Sequence, residues 1–548
     1  MNDIQTYSFK KISKGEFKGW LREDLFAFLP LDFFKDPNSG IRNMKGQVVK
    51  ESRWRWAAIF SLSNEKRIFL KRDKTKGWKE GLKLLFLPSK ARKEWLIAYQ
   101  ISKRGLEIPK PLGWMERTHL GFVKESYYLS EAVGTGMSFI EDLARVKDHA
   151  SIDQLAKTLR KIHHSGLFHQ DLHAGNFLWD GASFFLTDLH RSRILQSVSS
   201  NQRLLNLSQL FHSLRWGWGD EERLRFIEEY FRGESIPSEK KEEMVRKISS
   251  WMDRLQRRQW QSRTKRCLKE SSEFSVRKEG KMTLYHRKDF SLDRLGGIIE
   301  KHLILVKEKP SLLLKQSPEV FISMAKDGGD KICVKHFVFP HLKDRIRGNL
   351  WFSKGFKAWI AGNGLRARGI PSLQTMALIK KRDGLGLKEE FLVMEGSEKG
   401  LEMDRYILRG FDDFRRKRLF INHFAQWLSH LHQRNLYHQD MKTCNILVVD
   451  NGENWEFYLL DLEDVQLDEK IDEKGLFKNL LQLNTSIPKT ITRTNRLRFF
   501  KAYAHIDSIV KNEKVFIDRL VKESKQRGTV YVSPQGVVEE LSHTRDKG

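Results

Sequence analysis

The chain has 548 residues, which is too many for one hydrophobic core and fits two domains of roughly 250 residues each. Its hydrophobic content of 40% is ample for packed cores, and its three widely spaced cysteines indicate neither a disulfide framework nor a zinc site. The formal net charge of +29 favours a polyanionic partner: nucleic acid, an anionic lipid surface or a heavily phosphorylated substrate.

The sequence predicts no membrane-spanning segment and no signal peptide. The longest apolar run, Leu25 to Phe34, has ten residues and is interrupted by Pro30 and Asp32, whereas a membrane span needs ~18. The first residues, Met1 to Gln5, lack the basic-then-apolar order of a signal peptide. We therefore expect a soluble protein of a reducing, cytoplasmic compartment.

The chain is predicted to begin with an extension and a small β-rich lobe. Residues 1–45 are expected to form a polar N-terminal extension, and residues 47–131 a small β-rich lobe. An alternating run in this lobe ends at Lys71, a helix-like stretch contains Glu94, and a later apolar run ends at Glu131.

A helical lobe is predicted from about Met137 to Arg258, and it contains a motif with specific chemistry. His169, Asp171 and Asn176 form the pattern H-x-D-x-x-x-x-N, and Asp188 follows the next apolar strand. Kinase-like phosphotransferases build their catalytic centre in this way. The first aspartate accepts the proton of the substrate hydroxyl, while the asparagine and the second aspartate hold Mg²⁺ against the phosphates of ATP.

These roles assign the candidate residues of the first half. Asp171 is the predicted base, and Asn176 and Asp188 are the predicted metal ligands, because hard oxygen donors suit Mg²⁺. A kinase also needs a lysine on the nucleotide phosphates and a helix glutamate to pair with it. We assign the remaining three landmarks to the nucleotide site: Lys71, Glu94 and Glu131.

One segment concentrates the positive charge. Val245 to Arg266 carries eight Lys or Arg residues against the single acid Asp253, together with Trp251 and Trp260. A basic amphipathic helix with tryptophans is typical of a protein that lies on an anionic membrane surface. The alternative is a solvated helix at the end of the first domain whose tryptophans pack inward.

The second half repeats the first. Four landmarks recur at an offset of 264: Lys71 and Lys335, Trp95 and Trp359, Arg104-Gly105 and Arg368-Gly369, Glu131 and Glu395. The H-x-D-x-x-x-x-N motif recurs at His438, Asp440 and Asn445 with an offset of 269, and the second aspartate at Asp461 with an offset of 273. The small insertions therefore fall in loops, and the chain is predicted to be a tandem duplication.

We predict an α+β fold in which a bilobal protein-kinase-like domain, with a small β-rich N-lobe and a helical C-lobe, occurs twice. Domain one spans residues 1–262 and domain two residues 263–548. Within domain two, residues 263–292 are expected to be a charged junction and residues 529–548 a loose tail.

The second copy supplies equivalent candidate residues with one departure. Asp440 is the predicted base, Asn445 and Asp461 are the predicted metal ligands, and three residues are assigned to the nucleotide: Lys335, Glu395 and Lys442. Ala358 stands where the first copy has Glu94, so the lysine partner is either missing or supplied from elsewhere. Domain two is therefore expected to be either active or pseudokinase-like.

Both copies differ from protein kinases. Neither contains G-x-G-x-x-G, D-F-G or A-P-E; a Lys-x-Ser sequence stands where the glycine-rich loop is expected, at Lys50 to Ser52 and Lys315 to Ser317. About fifteen residues separate Asp188 from the next helix-like run at Leu204. A protein kinase needs a longer segment to seat a peptide, so a small or glycan acceptor is favoured.

The motifs around Asp188 resemble those of the bacterial lipopolysaccharide core kinases, the heptose and Kdo kinases. The resemblance rests on D-L-H-R at Asp188 to Arg191 and on the N-L-x-x-L-x-x-S helix from Asn206 to Ser213. It implies ATP and Mg²⁺, a sugar hydroxyl of the lipopolysaccharide inner core as acceptor, and peripheral association with the cytoplasmic face of the inner membrane. A single such domain is the usual form of the family.

Two other classes of function remain open at this point. One is a Ser/Thr protein kinase or a small-molecule phosphotransferase, although antibiotic kinases usually line their sites with acid, which a charge of +29 disfavours. The other is a non-catalytic tandem pseudokinase scaffold. A nucleic-acid partner is not expected, because the basic residues are dispersed and no nucleic-acid-binding motif occurs. The sequence leaves the oligomeric state open.

Overall fold

The computed structural model describes residues 8–25, 28–29, 31–34, 36–37, 40–41, 46–62, 65–134, 139, 147–349, 353–397, 400–488, 491–506, 509–527, 529–533 and 536–541. The chain divides into two compact units, residues 1–256 and 257–548. The boundary that we predicted between residues 262 and 263 stays a prediction. Parts of the predicted extension and tail, among them residues 1–7 and 542–548, and the predicted start of the helical lobe at Met137, lie outside the described residues.

The first unit contains a seven-stranded antiparallel sheet. Its strands are β1 Phe9–Lys14, β2 Phe17–Arg22, β3 Gln47–Glu51, β4 Arg55–Ser61, β5 Arg67–Lys74, β6 Pro111–His119 and β7 Phe122–Glu131. They lie in the order β1-β2-β6-β7-β5-β4-β3. Strand β5, which carries Lys71, is central: Lys71 pairs with Ala57 of β4 on one side and with Tyr128 of β7 on the other.

Helices and short strands complete the first unit. The helices are α1 Gly77–Phe86, α2 Lys90–Ser102, α3 His149–His164, α4 Ser200–Leu214, α5 Asp220–Tyr230 and α6 Ser238–Thr264, the last of which crosses the boundary between the units. Four short strands form two antiparallel pairs around the predicted catalytic loop: β8 Leu167–His169 with β11 Ser192–Ile194, and β9 Phe177–Trp179 with β10 Phe184–Leu186.

The second unit repeats this plan. Its large sheet consists of β12 Phe274–Glu279, β13 Met282–Arg287, β14 Lys315–Gln316, β15 Val320–Asp327, β16 Asp330–Val338, β17 Thr375–Asp383 and β18 Gly386–Glu395. The order β12-β13-β17-β18-β16-β15-β14 is that of the first sheet, strand for strand. Lys335 lies on β16, in the place of Lys71 on β5.

The remaining elements of the second unit are helices and short strands. The helices are α7 Leu292–Glu308, α8 Leu342–Asn349, α9 Lys354–Ala367, α10 Met403–Leu408, α11 Phe414–Gln433, α12 Glu473–Ser486, α13 Arg493–Ile506 and α14 Glu513–Arg527. The short strands are β19 Leu401–Glu402, β20 Leu436–His438, β21 Ile446–Asp450, β22 Trp455–Leu459, β23 Val465–Leu467, β24 Thr529–Ser533 and β25 Gly536–Leu541.

Two segments that we expected to lie outside the repeat belong to it. The expected polar extension supplies hairpin β1–β2, and the expected junction supplies hairpin β12–β13, which adds to β17 as β2 adds to β6. Strand β2 buries Phe17, Gly19 and Leu21 and exposes Lys18 and Trp20, an alternation that turns one face of the strand toward the core. Ile12 of β1 is buried as well. Part of the expected loose tail is likewise ordered, because β24 and β25 pair with each other.

Among the described residues, each unit has two hydrophobic clusters, one for each lobe. In the first unit, one cluster covers the sheet and includes Leu70 and Tyr127, while the other fills the helical lobe and includes Leu159 and Leu207. The second unit has the same two clusters. The predicted α+β fold, a duplicated bilobal domain, is thereby confirmed. Among the described helices, none is both long enough and apolar enough to span a bilayer.

Candidate active site

The site of the first unit is organised around the ammonium of Lys71. Its Nζ lies 3.0 Å from Oε2 of Glu94 on α2 and also donates a hydrogen bond to Oδ1 of Asp188, which follows β10. The side chains of Lys71 and Glu94 are only 13% and 5% exposed. Three residues that are far apart in the sequence therefore meet, and they join the sheet, its helix and the helical lobe. Their assigned roles stay predictions.

Burial and charge set the protonation of this cluster. Burial lowers the pKa of the Lys71 ammonium, but the carboxylates of Glu94 and Asp188 outweigh it, and the pKa is raised above its usual value. Burial also raises the pKa of Asp188, but the hydrogen bond to His190 and the charge of Lys71 hold it well below the usual range. Lys71 and Asp188 are therefore both charged at neutral pH.

The backbone at the second aspartate is strained in both units. Asp188 has φ 60° and ψ 39°, and Asp461 has φ 46° and ψ 56°, which are left-handed conformations that non-glycine residues rarely adopt. Such conformations cluster at functional sites, where surrounding contacts fix them. The same unusual geometry at both positions indicates that each unit holds this carboxylate in a defined direction.

The loop that carries the predicted base is bound to the second aspartate through a histidine. The amide of Asp171 donates to Nδ1 of His169 (3.2 Å), so the ring proton lies on Nε2, which faces the carbonyl oxygen of Asp188 (3.3 Å). In the second unit the amide of Asp440 donates to Nδ1 of His438 (3.2 Å). The histidine of the motif therefore acts on the backbone of the loop.

Three residues of one helix hold this loop by hydrogen bonds to its backbone. The sequence analysis did not assign a role to them. On α4, Asn206 donates to the carbonyl of His169 (2.6 Å) and Gln209 to that of Gln170 (2.8 Å), while Ser213 Oγ accepts from the amide of Ala174 (2.9 Å). The equivalent residues of α12 make the same contacts: Asn479 with His438 (2.8 Å), Gln482 with Gln439 (2.8 Å) and Ser486 with Thr443 (2.9 Å).

The signal for these residues was present in the sequence. The pattern N-L-x-Q-L-x-x-S occurs at Asn206 to Ser213 and again at Asn479 to Ser486, at an offset of 273. The sequence analysis used the first occurrence only as a sign of resemblance. Its spacing places Asn, Gln and Ser on one helical face, which is why all three reach the same loop.

A buried histidine supports the helix face in turn. His163 of α3 has Nδ1 2.5 Å from the hydroxyl of Tyr230 and Nε2 3.1 Å from Oδ1 of Asn206. In the second unit, Nδ1 of His432 lies 2.7 Å from the hydroxyl of Tyr503. Burial lowers the pKa of His163 to about 4, so the ring is neutral at pH 7 and bridges tyrosine and asparagine.

The predicted base of each unit has a cationic neighbour, but the cation stands at a different sequence position in the two units. The carboxylate of Asp171 accepts a hydrogen bond from Arg191 of the D-L-H-R sequence, and both side chains are about half exposed. Asp440 instead has the ammonium of Lys442 at 3.0 Å, and Nδ2 of Asn445 at 3.2 Å from its carboxylate.

The lysine of the second unit has a partner that the sequence analysis did not identify. Nζ of Lys335 lies 2.7 Å from Oδ1 of Asp461 and 2.6 Å from Oε1 of Glu463. Ala358, at the place of Glu94, is buried on α9. A carboxylate from the turn that follows Asp461 therefore takes the place of the helix carboxylate that this unit lacks.

Two residues assigned to the nucleotide lie apart from these clusters. Glu131 pairs across the sheet with Ile68, three residues and ~10 Å along β5 from Lys71, and its carboxylate pairs with Arg22 (3.2 Å). The carboxylate of Glu395 accepts from the amide of Gln374 (3.3 Å). A nucleotide role for these two residues stays a prediction.

The Lys-x-Ser sequences form hairpin turns. Ser52 Oγ accepts from the amide of Arg55 (3.1 Å), and Ser317 Oγ accepts from the amide of Val320 (3.0 Å). Ser52 thus closes the turn between β3 and β4, and Ser317 closes the turn between β14 and β15. Their hydroxyls are engaged with the backbone, and phosphate binding there stays a prediction.

The side chains present fit a hard divalent cation. Asp188 and Asn176 provide carboxylate and amide oxygens, the donors that Mg²⁺ prefers. In the second unit Nδ2 of Asn445 donates to the carbonyl of Asp440 (2.8 Å), which leaves its amide oxygen as an acceptor. Within the described ranges, carboxylate oxygens of Glu94 and Asp188 and a ring nitrogen of His190 lie within 4.8 Å of one another. The Lys71 ammonium forms ion pairs with both of these carboxylates.

Both tryptophans of the basic segment Val245 to Arg266 contact other residues of the protein. Trp251 of α6 packs against the core of the first unit, and the guanidinium of Arg368 lies 5.2 Å from the ring centre of Trp260. The alternative interpretation, in which the tryptophans of this helix pack inward, is therefore the one that the structure supports.

The sequence profile described as "Lipopolysaccharide kinase (Kdo/WaaP) family" matches residues 40–230 and 335–503, one segment in each unit. The chain belongs to this family. The match confirms the resemblance that we drew from the D-L-H-R sequence and the N-L-x-x-L-x-x-S helix. It also confirms that the domain occurs twice, because the two segments each contain the lysine, the H-x-D motif and the second aspartate.

Individual relatives are more distant. The 3-deoxy-D-manno-octulosonic acid kinase of Xanthomonas euvesicatoria pv. vesicatoria is 28% identical over 151 residues, which cover 25% of this chain and 55% of the relative. The protein of the same name from Xanthomonas campestris pv. campestris is 28% identical over 133 residues, covering 22% and 48%. The chain thus spans about half the length of the curated relatives that it matches.

Among solved structures, "WaaP in complex with acyl carrier protein" is 20% identical and covers 40% of this chain and 91% of that chain, with a TM-score of 0.30. A Stt7 homolog from Micromonas algae soaked with ATP is 14% identical and covers 27% of this chain and 50% of that chain, with a TM-score of 0.21.

The neutral buried histidine predicts a pH-dependent stability. The unfolded state binds a proton at His163 below about pH 6.5, whereas the folded state does so only near pH 4, so stability falls as the pH drops through this window. This residue alone contributes about 3 kcal/mol to the loss. Urea unfolding between pH 7 and pH 4 measures it.

The variant His163→Gln should lose stability less steeply with falling pH, by up to about 1.4 kcal/mol per pH unit. His164→Gln, at the neighbouring and exposed histidine of α3, is the matched control and should keep the wild-type slope. Equal slopes for all three proteins would contradict the neutral bridging role of His163.

Proposed function

We propose that the first unit transfers the γ-phosphoryl group of ATP to a hydroxyl of a heptose or Kdo sugar in the lipopolysaccharide inner core, with Mg²⁺ as cofactor. The observation that carries the proposal is the contact of Lys71 with Glu94 and Asp188 beside the loop of Asp171. All four residues lie within the segment 40–230 that matches the family. Family membership supports a sugar acceptor.

The chemistry needs little covalent participation from the protein. The acceptor oxygen forms a bond to the γ-phosphorus while the bond from that phosphorus to the β–γ bridging oxygen breaks, and ADP leaves. The carboxylate of Asp171 takes the hydroxyl proton; its side chain is 50% exposed, so an acceptor can reach it. Lys71, held by Glu94, would neutralise charge on the α and β phosphates.

Asp188 and Asn176 are the residues that would hold Mg²⁺, which supplies neutralisation of the phosphate charge when bound. The left-handed backbone of Asp188 and its bonds to Lys71 and His190 fix the direction of this carboxylate before any ligand arrives. A site that is rigid before binding loses less entropy when the nucleotide is positioned.

Two features support a sugar rather than a peptide as acceptor. Only residues 189–199 lie between Asp188 and the start of α4, and part of this stretch is used by β11, which pairs with β8. Little chain remains to seat a peptide. In addition, the half-exposed guanidinium of Arg191 stands beside the base, where an acidic sugar such as Kdo would meet a positive charge.

The variant Asp171→Asn should reduce transfer of ³²P from γ-labelled ATP to purified lipopolysaccharide lacking core phosphates by at least about a hundredfold, because it removes the base. Melting temperature should change little, since the side chain is half exposed. The control Asp220→Asn alters a carboxylate that is 93% exposed on α5 and should keep full activity. Equal labelling by wild type and Asp171→Asn would contradict the proposal.

We further propose that α1 holds the protein on the anionic cytoplasmic face of the inner membrane. Large apolar side chains of this segment are unusually exposed: Trp78 72%, Leu82 44%, Leu85 47%, Phe86 88% and Leu87 60%. The exposed lysines Lys76, Lys79 and Lys83 flank them. The buried Gly81 faces Phe122 of β7. Apolar residues ringed by lysine match an anionic bilayer surface in both polarity and charge.

The double variant Trp78→Ser/Phe86→Ser should bind phosphatidylglycerol-rich vesicles at least about tenfold more weakly than wild type, because each buried aromatic contributes about 1.5–3 kcal/mol. Co-sedimentation measures the binding, and phosphatidylcholine vesicles and high salt should both weaken it.

Trp216→Ser is the control for this experiment, because Trp216 is 78% exposed but follows α4. It should bind vesicles as wild type does. Unchanged binding of the double variant, or equal binding to neutral and anionic vesicles, would show that α1 is not the membrane surface.

A further inference from the structure

The lysine partner has moved from one element to another between the two units. In the first unit, α2 carries the acid Glu94 and the turn after Asp188 carries His190. In the second unit, the equivalent helix α9 carries Ala358 and the equivalent turn carries Glu463. The first unit therefore has Glu on the helix and His on the turn, whereas the second unit has Ala on the helix and Glu on the turn. Each unit has one glutamate at these two positions.

Glu463 and Lys335 form a buried ion pair. The Glu463 carboxylate lies 2.6 Å from Nζ of Lys335, and the two side chains are 14% and 9% exposed. Burial lowers the pKa of the Lys335 ammonium, but Glu463 and Asp461 outweigh it and raise the pKa above the usual value. Lys335 is therefore charged at neutral pH and contacts two carboxylates, as Lys71 does.

The helix of the second unit has small residues where it meets this turn. At Gly362 an added Cβ would lie 2.6 Å from the side chain of Thr375 and 3.3 Å from that of Leu462, the residue before Glu463. The equivalent residue of α2 is Ala98. The helix and the turn therefore pack closely here, and the turn glutamate reaches the lysine that a helix glutamate reaches in the first unit.

A second exchange keeps the charge near the base. Arg191 pairs with Asp171 in the first unit, and the equivalent residue of the second unit is Asp464. There the cation comes instead from Lys442, whose counterpart in the first unit is His173. In both units, therefore, the buried lysine keeps a glutamate and the base keeps a cationic partner, although the partner comes from a different position.

We propose that the second unit is a nucleoside triphosphate site of its own, in which Glu463 is the positioning residue that holds Lys335 toward the phosphates. The proposal rests on the role given to Lys71 and Glu94 in the proposed function. It goes beyond that function because it assigns ligand binding to the unit that lacks the helix glutamate.

Isothermal titration of the full chain with Mg²⁺ and a non-hydrolysable ATP analogue counts the sites. We expect two equivalents for wild type, one for Lys71→Ala/Asp188→Ala and one for Lys335→Ala/Asp461→Ala. If the Lys71→Ala/Asp188→Ala variant binds no analogue, the second site does not exist and the proposal is overturned.

The role of Glu463 is tested in the Lys71→Ala/Asp188→Ala background. Glu463→Ala should weaken the remaining site at least about tenfold, since the buried ammonium loses one of its two carboxylates. Transplanting the arrangement of the first unit, Ala358→Glu with Glu463→His, should restore affinity to within about threefold. Unchanged affinity of Glu463→Ala would refute the positioning role.

The reverse transplant guards against a folding defect. In a chain with Lys335→Ala/Asp461→Ala, Glu94→Ala should weaken the first site, and adding His190→Glu should restore it. A rescue in either unit identifies the acid, rather than its position, as the requirement; failure in both, with melting temperatures unchanged, would contradict the exchange. Binding is measured apart from transfer, so loss of labelling in lipopolysaccharide with two intact nucleotide sites would contradict the proposed acceptor alone.

Discussion

The contact between a buried lysine ammonium and two carboxylates is the interaction on which each unit depends. Lys71 comes from the sheet, Glu94 from the helix packed on it, and Asp188 from the turn that opens the helical lobe. An ammonium in this position is costly to bury unless it is paired, so the two lobes are tied to each other at the place where the phosphates are proposed to lie. The cluster that joins the lobes is thus also the proposed nucleotide site.

The rest of the site can be understood as support for that cluster. The left-handed aspartate needs its neighbours to hold it, and the H-x-D histidine links the loop of the base to the backbone of the second aspartate. The helix bearing Asn206 then fixes the loop through backbone carbonyls. A chain of hydrogen bonds thus runs from the buried His163 to the predicted base, with the same residue types at equivalent places in the second unit.

Sequence reasoning reached the duplicated fold, because landmarks that recur at nearly the same spacing in both halves indicate a repeated domain. It missed Glu463, since the exchange joins a helix position to a turn position and only three-dimensional proximity connects them. It also misjudged hairpins β1–β2 and β12–β13, whose short alternating runs carry little signal amid charged residues. The inward packing of Trp251 is likewise decided by tertiary contacts, which local periodicity does not contain.

The most direct test of the account is an experimental structure of the full chain with Mg²⁺ and a non-hydrolysable ATP analogue. The account predicts a nucleotide in both units, with Lys71 and Lys335 on the phosphates while Glu94 and Glu463 remain paired to them. A nucleotide bound elsewhere, a second unit without nucleotide under saturating conditions, or Glu463 turned away from Lys335 in the occupied site would contradict it.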